Sequence, residues 1–346
     1  MLDEHPPRID LRDGALVTSF DPDVMRRVIR DELYAGDMRP ASRWVPFGYQ
    51  HLPSAVRLAA AKLVFLPRRL RRERQDPPWP NAPALDVLDA LVGRRPSTPW
   101  GERAWGLSVT VDVDTARGLR AAPGIADVVE RAGLRACFFV VGAALAREEP
   151  IARELRERGH EIGSHDMVHD NRLFVLPPVE MESRLARARD SVRPFGGRGF
   201  RAPSLLRSTR LIEAVGRHFD YDSTRCDTDA EYLRGCATVF PHRTEGCLEL
   251  PVTLPMDSSL TYLGHSPWAV LEAWKRKCGY IRRLGGLAML VTHAEPHLTG
   301  GARLLEMLRA FLEWVREQTD CRCALPGDWA ESLLVAGADD APGAKR

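Results

Sequence analysis

Valines alternate with polar residues through VTVDVD at 109–114, which predicts a β-strand with one apolar face. Asp112 and Asp114 then share the opposite face. Two carboxylates that close together either raise each other's pKa or require a cation. We therefore ask which other residues of the chain could join them around a metal ion.

Histidines, an arginine and a further aspartate follow other apolar segments. HEIGSHDMVH places His165 and His169 after one segment, and GFRAPS places Arg201 after the next. Asp222 and His293 close two more. Two imidazoles and one carboxylate suit zinc or another divalent transition metal, and three protein ligands leave positions open for a water and a substrate oxygen. One aspartate would bind the metal, its neighbour would act as base, and a histidine from another strand would protonate the leaving group.

These residues need a fold that brings the ends of separate strands together. From about residue 105, short apolar runs alternate with amphipathic stretches, which predicts β–α units around a parallel sheet, open or closed into a barrel. We expect strands at 107–113, 136–141, 161–164, 199–202, 219–223, 248–253 and 287–292. We expect helices at 122–132, 150–158, 178–191, 209–217, 267–284 and 302–319. Sites in such folds form where the strands end.

The bulk properties exclude several classes of protein. A net charge of +2 gives no indication of nucleic-acid binding. The first residues do not resemble a secretory signal, and no apolar run reaches the ~18 residues of a spanning helix. We expect a cytoplasmic protein whose seven cysteines are reduced.

Residues 1–100 differ from the rest because they are rich in Pro, Arg and Trp and carry little strand pattern. Helical periodicity over 52–66 is followed by an arginine cluster that ends at 74. We favour an amphipathic helix packed on the main domain; the alternative is peripheral membrane contact through 52–74. We expect a mostly helical or irregular extension at 1–100 that packs on or caps the barrel, a catalytic domain at 101–334 and a disordered tail at 335–346.

The motifs, taken in order, resemble those of the polysaccharide deacetylase family, also called the NodB-homology or carbohydrate esterase 4 family, over about 104–331. The resemblance implies a distorted (β/α)7 barrel. VTVDVD resembles the first motif, which implies Asp112 as base and Asp114 as metal ligand. SHDMVH resembles the H-[ST]-x-x-H metal motif with one changed spacing, and His165 and His169 keep the usual separation of four.

FRAPS, YDS and LVTH resemble further motifs of the family. The resemblance implies that Arg201 orients the base and that His293 is the general acid. It assigns Asp222 a catalytic place near the fourth motif, although Asp220 lies on the same face of the strand. Pro203, within FRAPS, is a candidate substrate-binding residue.

Three acidic residues near these motifs allow two interpretations. Asp166 and Asp170 flank the histidines and would either orient the metal-bound imidazoles or face solvent. Glu295, after His293, would either bind substrate in the pocket or lie in a solvated loop.

The resemblance implies a metal-dependent hydrolase that removes an N-acetyl or N-formyl group from an amino sugar. Its cofactor would be one divalent ion, with zinc expected and cobalt, nickel or manganese as alternatives. DVDTARG, HEIGSH, ELPVTLP and THAE are similar to segments of the bacterial enzymes that deformylate 4-formamido-arabinose linked to undecaprenyl phosphate. Those enzymes work at the cytoplasmic face of the inner membrane.

Three other functions compete with this interpretation. A hydrolase of a cyclic amide or ureide, or an inactive sugar-binding module, would use the same fold. A non-haem iron oxygenase also uses two histidines and a carboxylate, but the alternation of β and α elements argues against it. The sequence leaves the oligomeric state open.

Overall fold

Parallel strands form the centre of the chain in this computed structural model. It describes residues 9–12, 15–18, 21–35, 38, six residues between 56 and 66, 84–91, 93, 96, 98–228, 234–244 and 246–339. The strands are β1 (Ile9–Arg12), β2 (Ala15–Thr18), β3 (Trp105–Val113), β4 (Ala136–Val140), β5 (Glu161–Ser164), β6 (Gly199–Phe200), β7 (Tyr221–Asp222), β8 (His242–Arg243), β9 (Leu248–Glu249), β10 (Leu287–His293) and β11 (Cys321–Cys323).

Helices surround the sheet and connect most of its parallel strands. They are α1 (Pro22–Arg30), α2 (Ala84–Leu91), α3 (Ala116–Arg131), α4 (Gly142–Leu145), α5 (Glu149–Glu157), α6 (Pro178–Val192), α7 (Thr209–Val215), α8 (Asp257–Tyr262), α9 (Pro267–Leu284), α10 (Ala302–Arg316) and α11 (Pro326–Asp339). Short 3-10 turns occupy Leu173–Val175, Arg193–Phe195 and Pro203–Leu205. No helix among the described residues is long and apolar enough to cross a lipid bilayer.

The seven predicted strands are all present, in the order β10-β3-β4-β5-β6-β7-β9. β3 is buried along its whole length, as expected for a strand covered on both faces. Between β9 and β10 the Thr253 hydroxyl donates to the Leu287 carbonyl at 2.7 Å and accepts from the Met289 amide at 2.8 Å. This side-chain link joins the chain after β9 to β10, the two ends of the seven-strand order, in a curled sheet.

The sheet also contains two strands that the sequence analysis does not predict. β8 pairs antiparallel with β9, and β11 pairs parallel with the beginning of β3. Each is two or three residues long, which is too short for a periodic pattern to identify.

The six predicted helices are present as well, and α3 begins earlier than its apolar pattern indicates. Thr115 caps it, because the Thr115 hydroxyl accepts a hydrogen bond from the Gly118 amide at 3.0 Å. The helix therefore begins at Ala116, two residues after Asp114, so that Asp114 lies in the short connection between β3 and α3.

The N-terminal residues include a short β-hairpin as well as helices, a detail that the prediction of a mostly helical or irregular extension does not specify. β1 pairs antiparallel with β2. Asp13 and Gly14, which separate the two strands in the sequence, lie outside the described residues, and an Asp-Gly dipeptide is a sequence signal for a hairpin.

Contacts from the N-terminal residues reach the segments that follow β6 and β7. Arg207 donates from Nε to Glu32 at 2.7 Å and pairs with it again through Nη2. The Tyr34 hydroxyl donates to the Gly235 carbonyl, and the Asp86 carboxylate accepts from the Thr238 hydroxyl. Two buried acids and one tyrosine therefore attach this region to the barrel.

Two predicted segments are only partly described. Six residues of the predicted helix at 52–66 are described, and all six are helical and exposed: Val56, Ala59, Ala60, Lys62, Leu63 and Leu66. The arginine cluster after it lies outside the described residues. At the other end, α11 continues to Asp339, so 335–339 are helical where a disordered tail was expected, and 340–346 lie outside the described residues.

Candidate active site

Three side chains from two strand ends form a cluster suited to a metal ion. Asp114 follows β3, while His165 and His169 follow β5. The Asp114 Oδ1 atom lies 3.5 Å from His165 Nε2 and 3.6 Å from His169 Nε2. All three ligand atoms lie within 4.8 Å of one another, and no other such group occurs among the described residues.

The hydrogen bonds around the cluster prepare it for a cation. His165 Nδ1 lies 2.8 Å from the Arg201 carbonyl, which can only accept, so Nδ1 carries the proton and Nε2 of the neutral ring presents its lone pair to the cluster. Asp114 Oδ1 is buried and accepts no hydrogen bond from the described residues. Two ligand atoms at ~2.1 Å from a tetrahedral zinc ion lie about 3.4 Å apart. The observed separations therefore fit a divalent metal.

Burial and the neighbouring charges together set the pKa values of the three candidate ligands. Burial alone would raise the pKa of Asp114, but the neighbouring histidines, His169 foremost, hold it well below its ordinary value. Burial lowers the pKa of His169, which favours the neutral ring that a metal requires. Burial also acts to lower the pKa of His165, but the carboxylates of Asp112 and Asp114 outweigh it and raise that pKa.

Asp112 lies beside the cluster and is held by Arg201. Arg201 donates from Nη1 to Asp112 Oδ1 at 2.8 Å and to the Thr110 hydroxyl at 2.7 Å. The guanidinium, itself fully buried, lies 4.2 Å from the centre of the Phe139 ring. The other Asp112 oxygen, Oδ2, lies 4.0 Å from His165 Nε2. One oxygen of Asp112 is thus fixed by a cation while the other faces the cluster.

His293 is the register partner of Asp112 across β10 and β3, so the two lie side by side. His293 Nδ1 lies 2.6 Å from Asp257 Oδ1, and Asp257 Oδ2 accepts from the His293 amide and from the Thr299 hydroxyl. Burial would lower the pKa of His293, but the charge and hydrogen bond of Asp257 raise it to about 10. His293 is therefore protonated at neutral pH and can donate a proton.

Asp222 lies on the other face of its strand and does not join this group. Ser223 accepts from Arg201 Nη2 at 2.9 Å, and because successive side chains of a strand alternate, Asp222 points away from Arg201. Its carboxylate accepts from the Thr224 hydroxyl at 2.6 Å, and burial raises its pKa to about 6. Asp257, which lies at the start of α8, pairs with the general-acid candidate instead.

The two substrate-binding candidates are both buried. The Glu295 carboxylate accepts from the Thr115 hydroxyl at 2.7 Å and is 1 % exposed, so it stabilises the first turn of α3 rather than lying open to a substrate. Pro203 begins a 3-10 turn that continues into Ser204, which has a left-handed φ of 54° and is exposed. The exposed part of FRAPS is therefore Ser204 rather than Pro203.

Asp166 is buried and Asp170 is half-buried, so neither is a solvated loop residue. Both pair with Arg184 of α6, at 2.5 Å and 2.8 Å respectively. Asp257 and Arg184 are the two charged residues near the site that the sequence analysis missed. Arg184 lies inside a helix with no motif around it, whereas Asp257 carries one usable signal, its place shortly after a predicted strand.

Comparison with known proteins supports the polysaccharide deacetylase family. The family model named Polysaccharide deacetylase matches residues 107–219. YheN of Bacillus subtilis (strain 168), provisionally named a polysaccharide deacetylase, is 28 % identical over 71 residues, which cover 20 % of this chain and 25 % of that protein. The chain thus matches about a quarter of the length of this curated relative.

Solved structures share the fold. A provisionally assigned polysaccharide deacetylase from Mycobacterium smegmatis is 22 % identical with a TM-score of 0.61, over 70 % of this chain and 95 % of that one. A polysaccharide deacetylase described as probable, from Pseudomonas aeruginosa PAO1, is 16 % identical with a TM-score of 0.58, over 71 % and 96 %. PuuE allantoinase is 18 % identical with a TM-score of 0.59, over 70 % and 95 %. The predicted barrel of the NodB-homology type is confirmed, and the family match supports a hydrolase.

Proposed function

We propose that this chain is a metal-dependent amidohydrolase that removes an N-acetyl or N-formyl group from an amino sugar. One observation carries the proposal: a two-histidine, one-aspartate cluster lies beside a carboxylate held by an arginine, and the strand neighbour of that carboxylate is a histidine held by a second carboxylate. The first pair suits a general base and the second a general acid. An amide hydrolase needs both, one to activate the water and one to protonate the departing amine.

Asp114, His165 and His169 would hold the metal. When bound, a divalent ion at these ligands supplies a Lewis acid for the substrate carbonyl and lowers the pKa of a water. Asp112 takes a proton from the attacking water through Oδ2, the oxygen that Arg201 does not hold. Arg201 keeps Asp112 ionised and oriented, because an adjacent cation favours the carboxylate.

His293 completes the reaction by giving a proton to the departing amine. Its Nδ1–H donates to Asp257, so the proton that leaves is the one on Nε2. Asp257 stabilises the charged ring before the transfer, and it accepts from four donors, which keeps it fixed. The products are a free amino sugar and acetate or formate.

The proposed substrate is an amino sugar within a glycoconjugate, a glycolipid or a small glycoside. The family match supports a carbohydrate substrate. The similarity of HEIGSH, ELPVTLP and THAE to lipid-linked arabinose deformylases supports a formyl group, and FRAPS supports an acetyl group. We place the enzyme in the cytoplasm, at the inner face of the membrane if the substrate is lipid-linked.

Mass spectrometry on a substrate panel tests this function directly. The panel pairs N-acetyl with N-formyl forms of amino sugars that are nucleotide-linked, lipid-linked or part of small glycosides. We expect loss of one acyl mass from one class, abolished by chelator and restored by Zn²⁺. The Asp112→Asn variant is the matched control, because it keeps the metal ligands and removes the base. Turnover that persists in chelator would refute the proposal.

A cyclic amide is the second candidate substrate, favoured by the fold shared with PuuE allantoinase. Ring opening of a cyclic amide adds the mass of water instead of releasing an acid, so the same panel distinguishes it when one ureide is included. Metal binding without any turnover would instead indicate an inactive sugar-binding module.

We also propose that residues 52–74 contact an anionic membrane. Val56, Leu63 and Leu66 follow helical spacing on one face, and all are exposed, Leu63 by 70 %. The arginines at 68, 69, 71, 72 and 74 supply the matching positive charge in the sequence. Co-sedimentation with vesicles containing anionic lipid should fall when Leu63→Glu is introduced, whereas equal binding would contradict the proposal.

A further inference from the structure

The Arg184 side chain of α6 binds the loop that connects the two histidines of the metal cluster. Its guanidinium makes five hydrogen bonds, all to residues 166–170. Nε and Nη2 donate to the two oxygens of Asp166, at 2.8 and 2.5 Å. Nη1 and Nη2 donate to Asp170, at 2.9 and 2.8 Å, and Nη2 also donates to the Val168 carbonyl at 2.6 Å.

The loop needs such support because its backbone turns sharply. Asp166 adopts a left-handed φ of 66°, which costs roughly 1 kcal/mol for a residue other than glycine. The Asp166 side chain also accepts from the Met167 amide at 2.6 Å, so the guanidinium and the turn are joined through one carboxylate. Asp166 stands where the quoted histidine motif has Ser or Thr, so this chain has replaced a hydroxyl by an ion pair.

Burial makes the arrangement depend on the arginine. Asp166 is fully buried and Arg184 nearly so, and a buried carboxylate without its cation is strongly destabilised. Only a planar fork with five donors can contact both carboxylates and the Val168 carbonyl together, so lysine would not replace arginine here. The two carboxylates outnumber the single guanidinium, which leaves the loop with no excess positive charge to oppose a metal ion.

We propose that Arg184 is a positioning residue for the metal ligands, whose guanidinium shapes residues 166–170 so that the Nε2 atoms of His165 and His169 both face Asp114. The inference rests on the metal site of the proposed function. Arg184 touches neither the metal nor the substrate, and acts through the loop alone.

The test measures metal affinity and ligand geometry instead of turnover. Apo protein is titrated with Co²⁺ and with Zn²⁺ in competition with a chelator, and the Co²⁺ absorption spectrum is recorded. We expect Arg184→Met to weaken both affinities about 10- to 100-fold and to change the spectrum. Arg184→Lys should recover little of the loss, because it restores the charge without the fork.

Arg207→Met is the matched control. Arg207 is also buried, and it donates to Glu32 from two nitrogens. Both residues lie outside the loop 166–170. The substitution should destabilise the apo protein while leaving Co²⁺ affinity and spectrum unchanged. Equal losses of metal affinity in Arg184→Met and Arg207→Met would show that Arg184 affects metal binding only through the overall stability of the protein. That result would overturn the inference.

Two further outcomes are decisive. If Arg184→Met does not fold, Asp170→Asn replaces it, because Asp170 is only half-buried and its loss leaves Asp166 paired. A several-fold loss of Co²⁺ affinity with an altered spectrum supports the inference, and wild-type values for either folded variant overturn it. Failure of the wild-type protein itself to bind Co²⁺ or Zn²⁺ would instead refute the metal site of the proposed function.

Discussion

Two groups of buried charges, one around the ends of β3, β5 and β10 and one beside β7 and β9, are balanced differently. The rim cluster surrounds the strand ends and comprises Asp112, Asp114, Asp257, Arg201, His165, His169 and His293. The outer cluster joins the N-terminal residues to the barrel and comprises Glu32, Asp222, Glu249, Arg207, Arg225 and Arg234. Both clusters contain three carboxylates, but only the outer cluster also contains three guanidinium groups.

The difference shows which cluster is built for an additional cation. The outer cluster contains three arginines and three carboxylates, and its ion pairs join Arg207 and Arg234 to Glu32 and Arg225 to Glu249. In the rim cluster, Arg201 and the protonated His293 face three carboxylates, so one negative charge remains uncompensated when His165 and His169 are neutral. Buried charges are costly unless paired. A divalent cation would compensate this charge, whereas the outer cluster contains as many arginines as carboxylates.

The largest effect is expected from the two aspartates of VTVDVD. Asp112→Asn removes the base and should lower kcat about 10³- to 10⁴-fold while zinc is retained, as measured by metal analysis after dialysis. Asp114→Asn removes a ligand and should lose both zinc and turnover. An Asp112→Asn protein stripped of zinc beside a fully loaded Asp114→Asn protein would show that the two roles are reversed.

Breaking the outer cluster should change stability without changing the chemistry. Glu32→Gln leaves Arg207 buried without its carboxylate, which should cost about 3 kcal/mol in the free energy of unfolding. Urea unfolding measures the cost, and the kcat of the folded fraction is expected to match wild type. A large loss of kcat at unchanged stability would mean that the N-terminal residues take part in the reaction.

Asp257 and Asp222 are two candidates for a catalytic role. The sequence resemblance favours Asp222, whereas the geometry favours Asp257. Asp257→Asn should lower kcat about 10²-fold and move the alkaline limit of activity to lower pH. The sign follows from His293, whose pKa of about 10 depends on Asp257 and falls toward its ordinary value without it. The pH profile of kcat checks this, and Asp222→Asn should reproduce the wild-type profile.

The strands could be predicted because each carries its own apolar pattern, and the metal ligands because they end those strands at a short spacing. Asp112 and Asp114 share a face by alternation alone, and His165 and His169 lie four residues apart. Local sequence determines such features, and no long-range contact has to be known in advance.

Asp257 and Arg184 could not be predicted, because their roles are fixed by contacts over long sequence separations. Asp257 lies 36 residues from the histidine it contacts, and Arg184 lies 14 and 18 residues from its two aspartates. The role of Asp222 remains a prediction for a related reason. Asp222 ends β7 and Ser223 follows it with its side chain on Arg201, a contact that local sequence does not reveal.

The smallest effect concerns how Asp222 responds to pH. Burial raises its pKa from 3.8 to about 6, so the folded protein binds a proton between these values more strongly than the unfolded chain. Stability contributed by this group is therefore complete below about pH 4 and falls as the pH rises through 6. Glu249, its register partner across β7 and β9, is affected in the same direction, since burial and the charge of Asp222 raise its pKa.

Asp222→Asn removes the ionisation and should abolish most of this fall. As the pH rises from 4 to 7, the free energy of unfolding of the variant should increase relative to that of wild type by on the order of 2 kcal/mol. Urea unfolding at half-unit pH steps measures the difference, with Asp220→Asn as a control on an exposed neighbour. Parallel stability curves for wild type and Asp222→Asn would mean that the arginines of the outer cluster keep Asp222 ionised throughout. The two clusters would then differ only in whether their carboxylates are matched by protein cations.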